Sequence, residues 1–414
     1  MNRLHKLLFW LPALLLLGCV KDEVTTSYTY QLVRPVYKTA AQVRADIKSA
    51  APQPITEAGK LSIKNSWVFI TELYKGVHII DNSNPAAPRN TAFIAVPGCV
   101  DIAIKENILY ADLYTDLVAI DISNPAAART TAVLENAFPD RYYFGIAARN
   151  GDKIVVDYIR KDTTVSHTEP MEIWARKQGN IGVFMSGNRA NVNLAAPSGA
   201  STGTNGSMAR FAIVGNRLYT VGNRDLTTFN IDATEKPRYI TKTDVGWGIE
   251  TIYPFKNRLF LGSVDGMYIF NINNPDAPAR MGQFTHARSC DPVVADDQFA
   301  YVTLRSGTFC AGFTNQMEVV DVTNLLAPKL VKTYPLTNPH GLSKDGNLLF
   351  ICDGRDGLKS FDATKADNIK FVQKMDVPES YDVIAYNSVA LVAAKDGLYQ
   401  YSYSADGKMQ FLSK

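Results

Sequence analysis

Five titratable side chains stand at comparable places along this chain, each at or near the start of a short apolar run. They are Asp101 in GCVDIAI, Glu250 in GIETIY, Asp291 in SCDPVV, His340 in NPHGLS and Asp382 in SYDVIA. Oxygen ligands of this kind hold hard divalent cations, and carboxylates beside an imidazole can act on a polar ligand. If the runs are strands around a common axis, the five side chains converge on one candidate site, with a divalent cation as its candidate cofactor.

The same five residues have a second, structural interpretation. If the strands surround a central channel, polar side chains at its mouth can hydrogen-bond the backbone of neighbouring strands and hold those strands in register. The sequence favours this interpretation over the ligand site. It contains no GxSxG nucleophile elbow, no HExxH and no phosphate-binding loop. Catalysis therefore stays open, with the balance toward a protein that is not an enzyme.

The elements that would position these residues belong to a repeat of about 40 residues. Its motif is an apolar run, an Asp or Asn, and a turn that contains proline, as at Gly76–Pro85, Asp116–Pro125 and Gly266–Pro275. The repeated residues Asp81 and Asp121 lie 40 positions apart. A period near 40 built only of strands indicates repeated small sheets, because one such unit cannot bury its own apolar face.

Each repeat contains four predicted strands. In the second copy they are Asp101–Lys105, Ile108–Asp112, Leu117–Ile122 and Thr130–Leu134. Asn and Gly in the short turns tolerate the positive φ that hairpins require, and the proline after the third strand ends it. Four antiparallel strands per repeat are typical of a propeller blade, so the sequence predicts an all-β protein with a β-propeller fold.

The number of blades follows from dividing the chain at the first strand of each repeat. The pieces are 59–98, 99–139, 140–206, 207–247, 248–288, 289–338, 339–379 and 380–414. The third piece is the most degenerate, and its polar tract resembles a flexible loop. We expect about eight four-stranded blades, or seven if the third piece does not form a sheet of its own.

The first 18 residues predict a signal peptide. A short basic head precedes an apolar core at 7–18, which is too short to span a bilayer, where about 20 residues are needed. The core ends in Leu16-Leu17-Gly18-Cys19, which resembles the lipobox of bacterial lipoproteins. We therefore expect Cys19 to be lipidated and to anchor the chain in a membrane. An ordinary signal peptide with a chance cysteine is the alternative.

Residues 19–58 form the predicted tether between the lipid and the propeller at 59–414. Val20-Lys21-Asp22-Glu23 resembles the signal that sends some lipoproteins to the outer face of the outer membrane, although a merely polar tether would look similar. Tyr28–Tyr37 is a candidate strand, and Thr39–Ala50 is a candidate helix with Thr39 and Gln42 at capping-box spacing. Whether the strand closes the propeller ring is open.

Charge argues against a nucleic-acid partner. Removal of Arg3 and Lys6 with the signal peptide leaves 41 of the 43 basic residues against 40 acidic residues, and no basic stripe is present.

Of the remaining cysteines, Cys290 and Cys310 flank the same predicted hairpin, and an exported chain permits a disulfide between them. Buried free thiols are the alternative.

The repeat resembles the LVIVD family, on the segments VAIDISNP with ILYADL and EVVDVTNL with FAYVTL. The resemblance extends from about Gly59 to the C-terminus and is weakest in the third piece. It implies a β-propeller on secreted or surface proteins of bacteria and supplies no catalytic residues. We therefore expect a non-catalytic, lipid-anchored propeller at the cell surface that binds a protein or a glycan. The alternative is a hydrolase or lyase that acts on polysaccharide at the channel mouth.

Overall fold

The computed structural model describes residues 26–143, 146–167, 183–185, 204–205, 207–208, 210–286, 292–306 and 314–414. Cys19, Cys290, Asp291 and Cys310 lie outside these residues, so the lipidation, the disulfide and one of the five site positions stay predictions. The chain divides into two compact units. One combines Met1–Val36 with Asp157–Ala190, and the other combines Tyr37–Val156 with Asn191–Lys414.

The chain begins with β1 (Thr26–Thr39), the helix α1 (Ala40–Ala45) and β2 (Lys48–Ala50). Two antiparallel sheets follow: blade 1 with β3 (Ala58–Lys64), β4 (Trp67–Glu72), β5 (Gly76–Asp81) and β6 (Arg89–Ala95), and blade 2 with β7 (Ile102–Lys105), β8 (Ile108–Leu113), β9 (Asp116–Asp121), a 3-10 turn (Pro125–Ala127) and β10 (Arg129–Leu134). Then come β11 (Tyr142–Tyr143), β12 (Ile146–Ala147), β13 (Arg149–Asn150), β14 (Lys153–His167), β15 (Val183–Met185) and β16 (Thr204–Asn205).

Five further antiparallel sheets complete the chain. Blade 3 has β17 (Phe211–Val214), β18 (Arg217–Val221), β19 (Asp225–Asn230) and β20 (Arg238–Asp244), and blade 4 has β21 (Ile249–Phe255), β22 (Arg258–Ser263), β23 (Gly266–Asn271) and β24 (Ala279–Thr285). Blade 5 has β25 (Val293–Ala295), β26 (Phe299–Leu304), β27 (Gln316–Asp321) and β28 (Lys329–Pro335). Blade 6 has β29 (Leu342–Asp345), β30 (Leu348–Cys352), β31 (Leu358–Asp362) and β32 (Lys370–Met375), and blade 7 has β33 (Ser380–Tyr386), β34 (Val389–Ala394), β35 (Gly397–Tyr403) and β36 (Met409–Ser413). The predicted strands of the second repeat agree with β7 to β10 to within one residue at each end.

The blades of the larger unit form a closed ring. The first strand of each blade contacts the first strand of the next, in the order β3, β7, β17, β21, β25, β29 and β33, and β33 contacts β3 in turn. Seven apolar clusters fill the seven junctions, one between each pair of neighbouring blades. The stabilising apolar surface of this fold therefore lies between blades rather than within them. The prediction of a β-propeller is confirmed.

The third piece of the sequence contributes no blade to the ring. Blade 2 packs directly on blade 3, through Ala103 and Tyr110 on one side and Phe211 and Phe229 on the other. The described residues contain eight sheets of four or more strands, and the eighth has the order β13-β14-β1-β15. The ring itself thus has the seven-blade form of the prediction.

In the smaller unit, the start of β1 lies between β14 and β15. β1 pairs antiparallel with β15, with Tyr30 opposite Met185. On the β14 side the hydroxyls of Ser27 and Ser166 lie 2.5 Å apart. The most degenerate copy of the repeat, which includes β15, therefore pairs with the N-terminal segment instead of forming a blade.

Two short elements link the N-terminal segment to blade 1. The predicted capping box is present at α1, where the Thr39 hydroxyl accepts from the Gln42 amide at 3.2 Å and the Gln42 side chain accepts from Thr39 N at 2.9 Å. The helix ends at Ala45 rather than Ala50, because β2 then pairs with the outer strand β6, Lys48 opposite Ala95. Within the described residues, no helix has the length and apolar character needed to cross a bilayer.

The ring closes without sharing a strand between its first and last blades. Blade 7 takes all four strands from the C-terminal end of the chain, and β1 pairs elsewhere. Leu61 and Ile70 of blade 1 pack against Ile384 and Leu391 of blade 7. Apolar packing between complete blades thus answers the question of closure that the sequence left open.

Candidate functional site

The aspartate or asparagine that defines the repeat has a structural role. In six of the seven blades its side-chain oxygen accepts from the backbone N–H two residues later, at 2.7 to 3.0 Å. Such a bond forms a tight turn after the third strand. In Asp81 and Asp121 the second oxygen also pairs with Arg89 and Arg129 on the fourth strand. The most repeated polar residue of the sequence therefore builds turns, not a binding site.

A group of charged and polar residues, one from each of the seven blades, lies at the end of the ring where the inner strands begin and the second strands end. It consists of Lys60, Asp101, Arg210, Glu250, Arg305, His340 and Asp382, and is called here the mouth cluster. Asp101, His340 and Asp382 are buried, Glu250 is partly buried, and all four were predicted site residues. The interactions of Lys60 with Asp101, Asp382 and Glu250 show that the structure brings the three carboxylates together.

Asp101 connects blade 2 to blade 3. Its Oδ1 accepts from Ile102 N at 2.9 Å, and its Oδ2 accepts from Arg210 N, at the start of the next inner strand, at 3.2 Å. Its own N–H donates to Asp112 Oδ1 at 2.8 Å. Burial raises the pKa of Asp101 well above its ordinary value, against the attraction of Lys60.

Asp382 makes the same connection between blade 7 and blade 1. Its Oδ1 accepts from Val383 N at 3.0 Å, and its carboxyl also accepts a backbone hydrogen bond from Leu61, in the inner strand of the next blade. Burial raises the pKa of Asp382 to about 7. Asp101 and Asp382 each therefore join one inner strand to the next, as the structural interpretation of these residues requires.

Lys60 interacts with all three acids of the mouth cluster. Its side chain is buried, and burial lowers its pKa to about 7 against the attraction of Asp101 and Asp382. An ammonium buried beside two carboxylates offsets the repulsion that these would otherwise exert on each other. This role of Lys60 could not be predicted from the sequence, because the residue has an ordinary place at the start of a repeat.

His340 is held by Arg305 and Asn338. Arg305 Nη1 lies 2.7 Å from Nδ1 and 2.8 Å from Nε2 of His340, and Nε2 also lies 3.0 Å from Asn338 Oδ1. The close approach of the Arg305 guanidinium fits a neutral imidazole ring. Burial and the neighbouring Arg305 hold the pKa of His340 well below its usual range, which agrees with that assignment.

The mouth cluster balances its own charge. Its three acids, Asp101, Glu250 and Asp382, are accompanied by three bases, Lys60, Arg210 and Arg305, all of which attract Glu250. Within the described ranges, no group of three or more His, Cys, Asp or Glu side chains has the arrangement of a metal site. Asp291, the remaining predicted ligand, is not described. The described donors therefore fit a self-neutralised polar cluster better than a cation site.

A segment of the chain occupies the inner side of the ring. β16 pairs with the free edge of the inner strand β3, Thr204 opposite Ile63 and Asn205 opposite Ser62. Farther along, Ser207 is fully buried, and its Oγ accepts from Leu342 N of blade 6 at 2.7 Å. These residues, called here the channel segment, connect blade 1 to blade 6 along the inner strands just before blade 3 begins.

The three basic members of the mouth cluster were missed by sequence reasoning. The three acids could have been found from a repeated sequence pattern. In each case a Val is followed, after four intervening residues, by the Asp or Glu, at 96–101, 245–250 and 377–382. No such pattern marks Lys60, Arg210 or Arg305, because they occupy unrelated positions within their repeats. Only the ring geometry brings the two sets together.

Comparison with known proteins supports the repeat and the fold. The LVIVD repeat model matches residues 56–91 and 99–129. The chain contains LVIVD repeats. Among curated proteins, none matches the sequence significantly. The predicted resemblance to that repeat is thus confirmed, on two of its copies.

Solved structures resemble the chain in fold at low sequence identity. The periplasmic gluconolactonase of Pseudomonas aeruginosa is 10% identical with a TM-score of 0.53, over 88% of this chain and 94% of that one. A protein from Lactobacillus plantarum is 12% identical with a TM-score of 0.51, over 93% of this chain and 95% of that one. Identities this low show a shared fold only, since propellers carry out many unrelated activities.

Proposed function

We propose that this protein is a non-catalytic β-propeller, anchored by lipid to the bacterial outer membrane and exposed at the cell surface, where it binds a protein or a glycan. The observation that carries the proposal is the internal satisfaction of the mouth cluster. The carboxyl oxygens of Asp101 and Asp382 accept hydrogen bonds from backbone N–H groups of the inner strands, and His340 has a hydrogen-bond partner at both ring nitrogens. A catalytic acid or base must instead reach the substrate.

The channel segment supports the same proposal. Ser207 is buried and bonded to Leu342, and Asn205 pairs with Ser62, two positions from Lys60, so part of the inner face of the ring is covered by the chain itself. An enzyme that acts at the channel mouth needs a concave space for its substrate. The binding surface of this propeller therefore lies on its loops or outer strands, where side chains are exposed.

The alternative function is cleavage of a polysaccharide at the mouth cluster, by a hydrolase or a lyase reaction. A direct experiment separates the two: the purified mature chain is screened on a glycan array, in pull-downs from envelope fractions, and for turnover of the bound polysaccharides. We expect binding without turnover. Turnover that His340→Ala abolishes, in a variant that melts like the wild type, would establish the enzyme and remove the proposal.

The anchor is tested separately. In Cys19→Ala, we expect loss of lipid labelling and release from the membrane fraction. In a variant with Lys21, Asp22 and Glu23 changed to Ala, we expect lipidation to persist while accessibility to protease on intact cells is lost. A Cys19→Ala variant that remains lipid-labelled and membrane-bound contradicts the anchoring, and unchanged accessibility in the triple variant contradicts the surface signal.

A further inference from the structure

Trp247 is presented to solvent on a short loop between β20 and β21. Half of its surface is exposed, in a fold where most large apolar side chains are buried between blades. Gly246 and Gly248 flank it with φ values of 142° and 72°. A Cβ at Gly248 would lie 2.3 Å from a methyl of Val264, so this backbone needs glycine. The chain thus turns sharply on both sides of one outward-facing indole.

Hydrogen bonds from Ser263 and Val264 fix the backbone of this loop. Trp247 O accepts from the Ser263 hydroxyl at 2.9 Å, and Gly248 O accepts from Val264 N at 3.0 Å. The Ser263 hydroxyl is also 2.8 Å from Asp265 Oδ1. A half-exposed aromatic ring on a fixed backbone loses little conformational entropy when a ligand stacks on it.

Two polar side chains accompany the indole on the neighbouring β18–β19 loop. The loops are joined by Val245 N to Arg224 O at 2.9 Å and by Ile249 N to Asn223 O at 3.0 Å. The side chains of Asn223 and Arg224 are exposed. Because the Arg224 side chain is exposed, an anion in solution can reach its guanidinium.

The composition of this surface selects the type of ligand. The core of a protein–protein interface is a patch of several apolar and aromatic side chains that become fully buried. Here no other large exposed apolar side chain of the described residues lies on the two loops, and Tyr239, the next along the chain, stands at the far end of β20. An isolated aromatic face beside an amide and a guanidinium offers stacking for one sugar ring, with donors for its hydroxyl and carboxylate oxygens.

We propose that Trp247, Asn223 and Arg224 form a carbohydrate-binding site for glycans that contain acidic sugars. This inference rests on the proposed binding function and narrows its partner to one chemical class. The sugar ring stacks on the indole, the Asn223 amide bonds a hydroxyl, and Arg224 pairs with a carboxylate. The site lies beside the mouth cluster along the chain, three residues before Glu250, and does not use it.

The test measures binding of a uronic-acid oligosaccharide and of its carboxyl-reduced, neutral counterpart to the mature chain by calorimetry. We expect the acidic probe to bind more tightly. Trp247→Ala should weaken both probes by about tenfold or more, whereas Trp247→Phe should retain part of the affinity. Arg224→Gln should weaken the acidic probe alone. Tyr239→Ala, which removes an exposed aromatic of the same blade away from the site, should bind like the wild type.

The outcomes separate this inference from the proposed function. If the wild type binds neither probe, or if Trp247→Ala binds like the wild type while its melting temperature is unchanged, the carbohydrate site is wrong. A partner captured in pull-downs equally by wild type and Trp247→Ala would overturn the site and still support a binding propeller. Equal loss of both probes in Arg224→Gln would overturn the preference for acidic sugars.

Discussion

Asn82 of blade 1 and Gln400 of blade 7 exchange two hydrogen bonds between their side-chain amides. Asn82 Nδ2 donates to Gln400 Oε1 at 3.0 Å, and Gln400 Nε2 donates to Asn82 Oδ1 at 2.7 Å. The Ser413 hydroxyl adds a bond to Pro85 O at 2.6 Å across the same junction. These polar contacts fix the register in which the first and last blades meet, where no shared strand does so.

The first prediction concerns this closure. Asn82→Ala and Gln400→Ala should each lower the free energy of unfolding by about 1 to 3 kcal/mol, because each leaves a partly or fully buried amide without its partner. The double variant should cost less than the sum of the two, as contacting residues do in a double-mutant cycle. Chemical denaturation measures all three, with Asn347→Ala on an exposed turn as the control. Strict additivity would show that the two residues do not interact.

The second prediction concerns the repeated turn residue. Asp121→Ala should lower the free energy of unfolding by about 1 kcal/mol, since Ser123 N loses its acceptor. Asp121→Asn should cost less, because an amide oxygen can take the same bond, as Asn230 and Asn271 do in blades 3 and 4. Thermal melts of the two variants provide the comparison. Equal losses would mean that the pairing of Asp121 with Arg129, not the turn, carries the effect.

The third prediction concerns pH. Burial alone would raise the pKa of Glu72, but hydrogen bonds from His78, Thr56 and Lys75 outweigh it and hold that pKa well below its usual 4.5. Stability from a depressed carboxyl pKa is present above the unfolded value and is lost as pH falls below it. Glu72→Gln should therefore cost about 2 kcal/mol at pH 7 and progressively less below pH 4.5. Glu235→Gln, on an exposed turn, is the control, and a cost independent of pH would contradict the assignment.

The fourth prediction concerns Asp382, whose pKa is shifted in the opposite direction. Because burial raises its pKa from 3.8 to about 7, the folded protein holds this proton more tightly, and the wild type loses stability as pH rises from 3.8 to 7. Asp382→Asn has no such proton, so its stability relative to wild type should improve over that range. Asp382→Ala lacks the same proton, so its stability relative to wild type should improve in parallel, but from a level about 2 kcal/mol lower, because Val383 N loses its acceptor. Denaturation at several pH values, with Asp367→Asn as control, measures the difference, and a constant offset would contradict it.

The fifth prediction concerns the cation that the five titratable residues suggested. Because Lys60, Arg210 and Arg305 already balance the three described carboxylates, neither calcium nor a chelator should shift the melting temperature. Elemental analysis of the purified protein should show no stoichiometric metal. A rise in melting temperature with calcium that Asp291→Asn abolishes would restore the cation site.

The parts of the structure that could be predicted from sequence are those encoded locally. The turn residues Asp81 and Asp121 and the capping pair Thr39 and Gln42 act within a few positions of the chain, so their spacing is sufficient. Periodicity of the repeat gave the four-stranded sheets for the same reason. The size of the ring was not encoded in this way, because the third piece carries repeat-like residues at β15 that pair with β1.

The positions of the acids in the mouth cluster could be predicted from the sequence, but their protonation could not. The positions of Asp101, Glu250, His340 and Asp382 at the starts of inner strands followed from the repeat. Their chemistry depends on Lys60 and Arg305, which reach the same place from other blades. Burial by the closed ring sets the protonation of these groups, and no single repeat contains that information.

The channel segment couples distant parts of the chain during folding. The bond from Leu342 to Ser207 spans 135 positions, and Thr204 and Asn205 pair with a strand about 140 positions earlier. As the chain is synthesised from its N-terminus, β16 can pair with β3 as soon as residues 204–205 are available, but Ser207 gains its partner only when blade 6 has arrived. Completion of the native centre is therefore a late event in folding, because it depends on a contact between residues far apart in sequence.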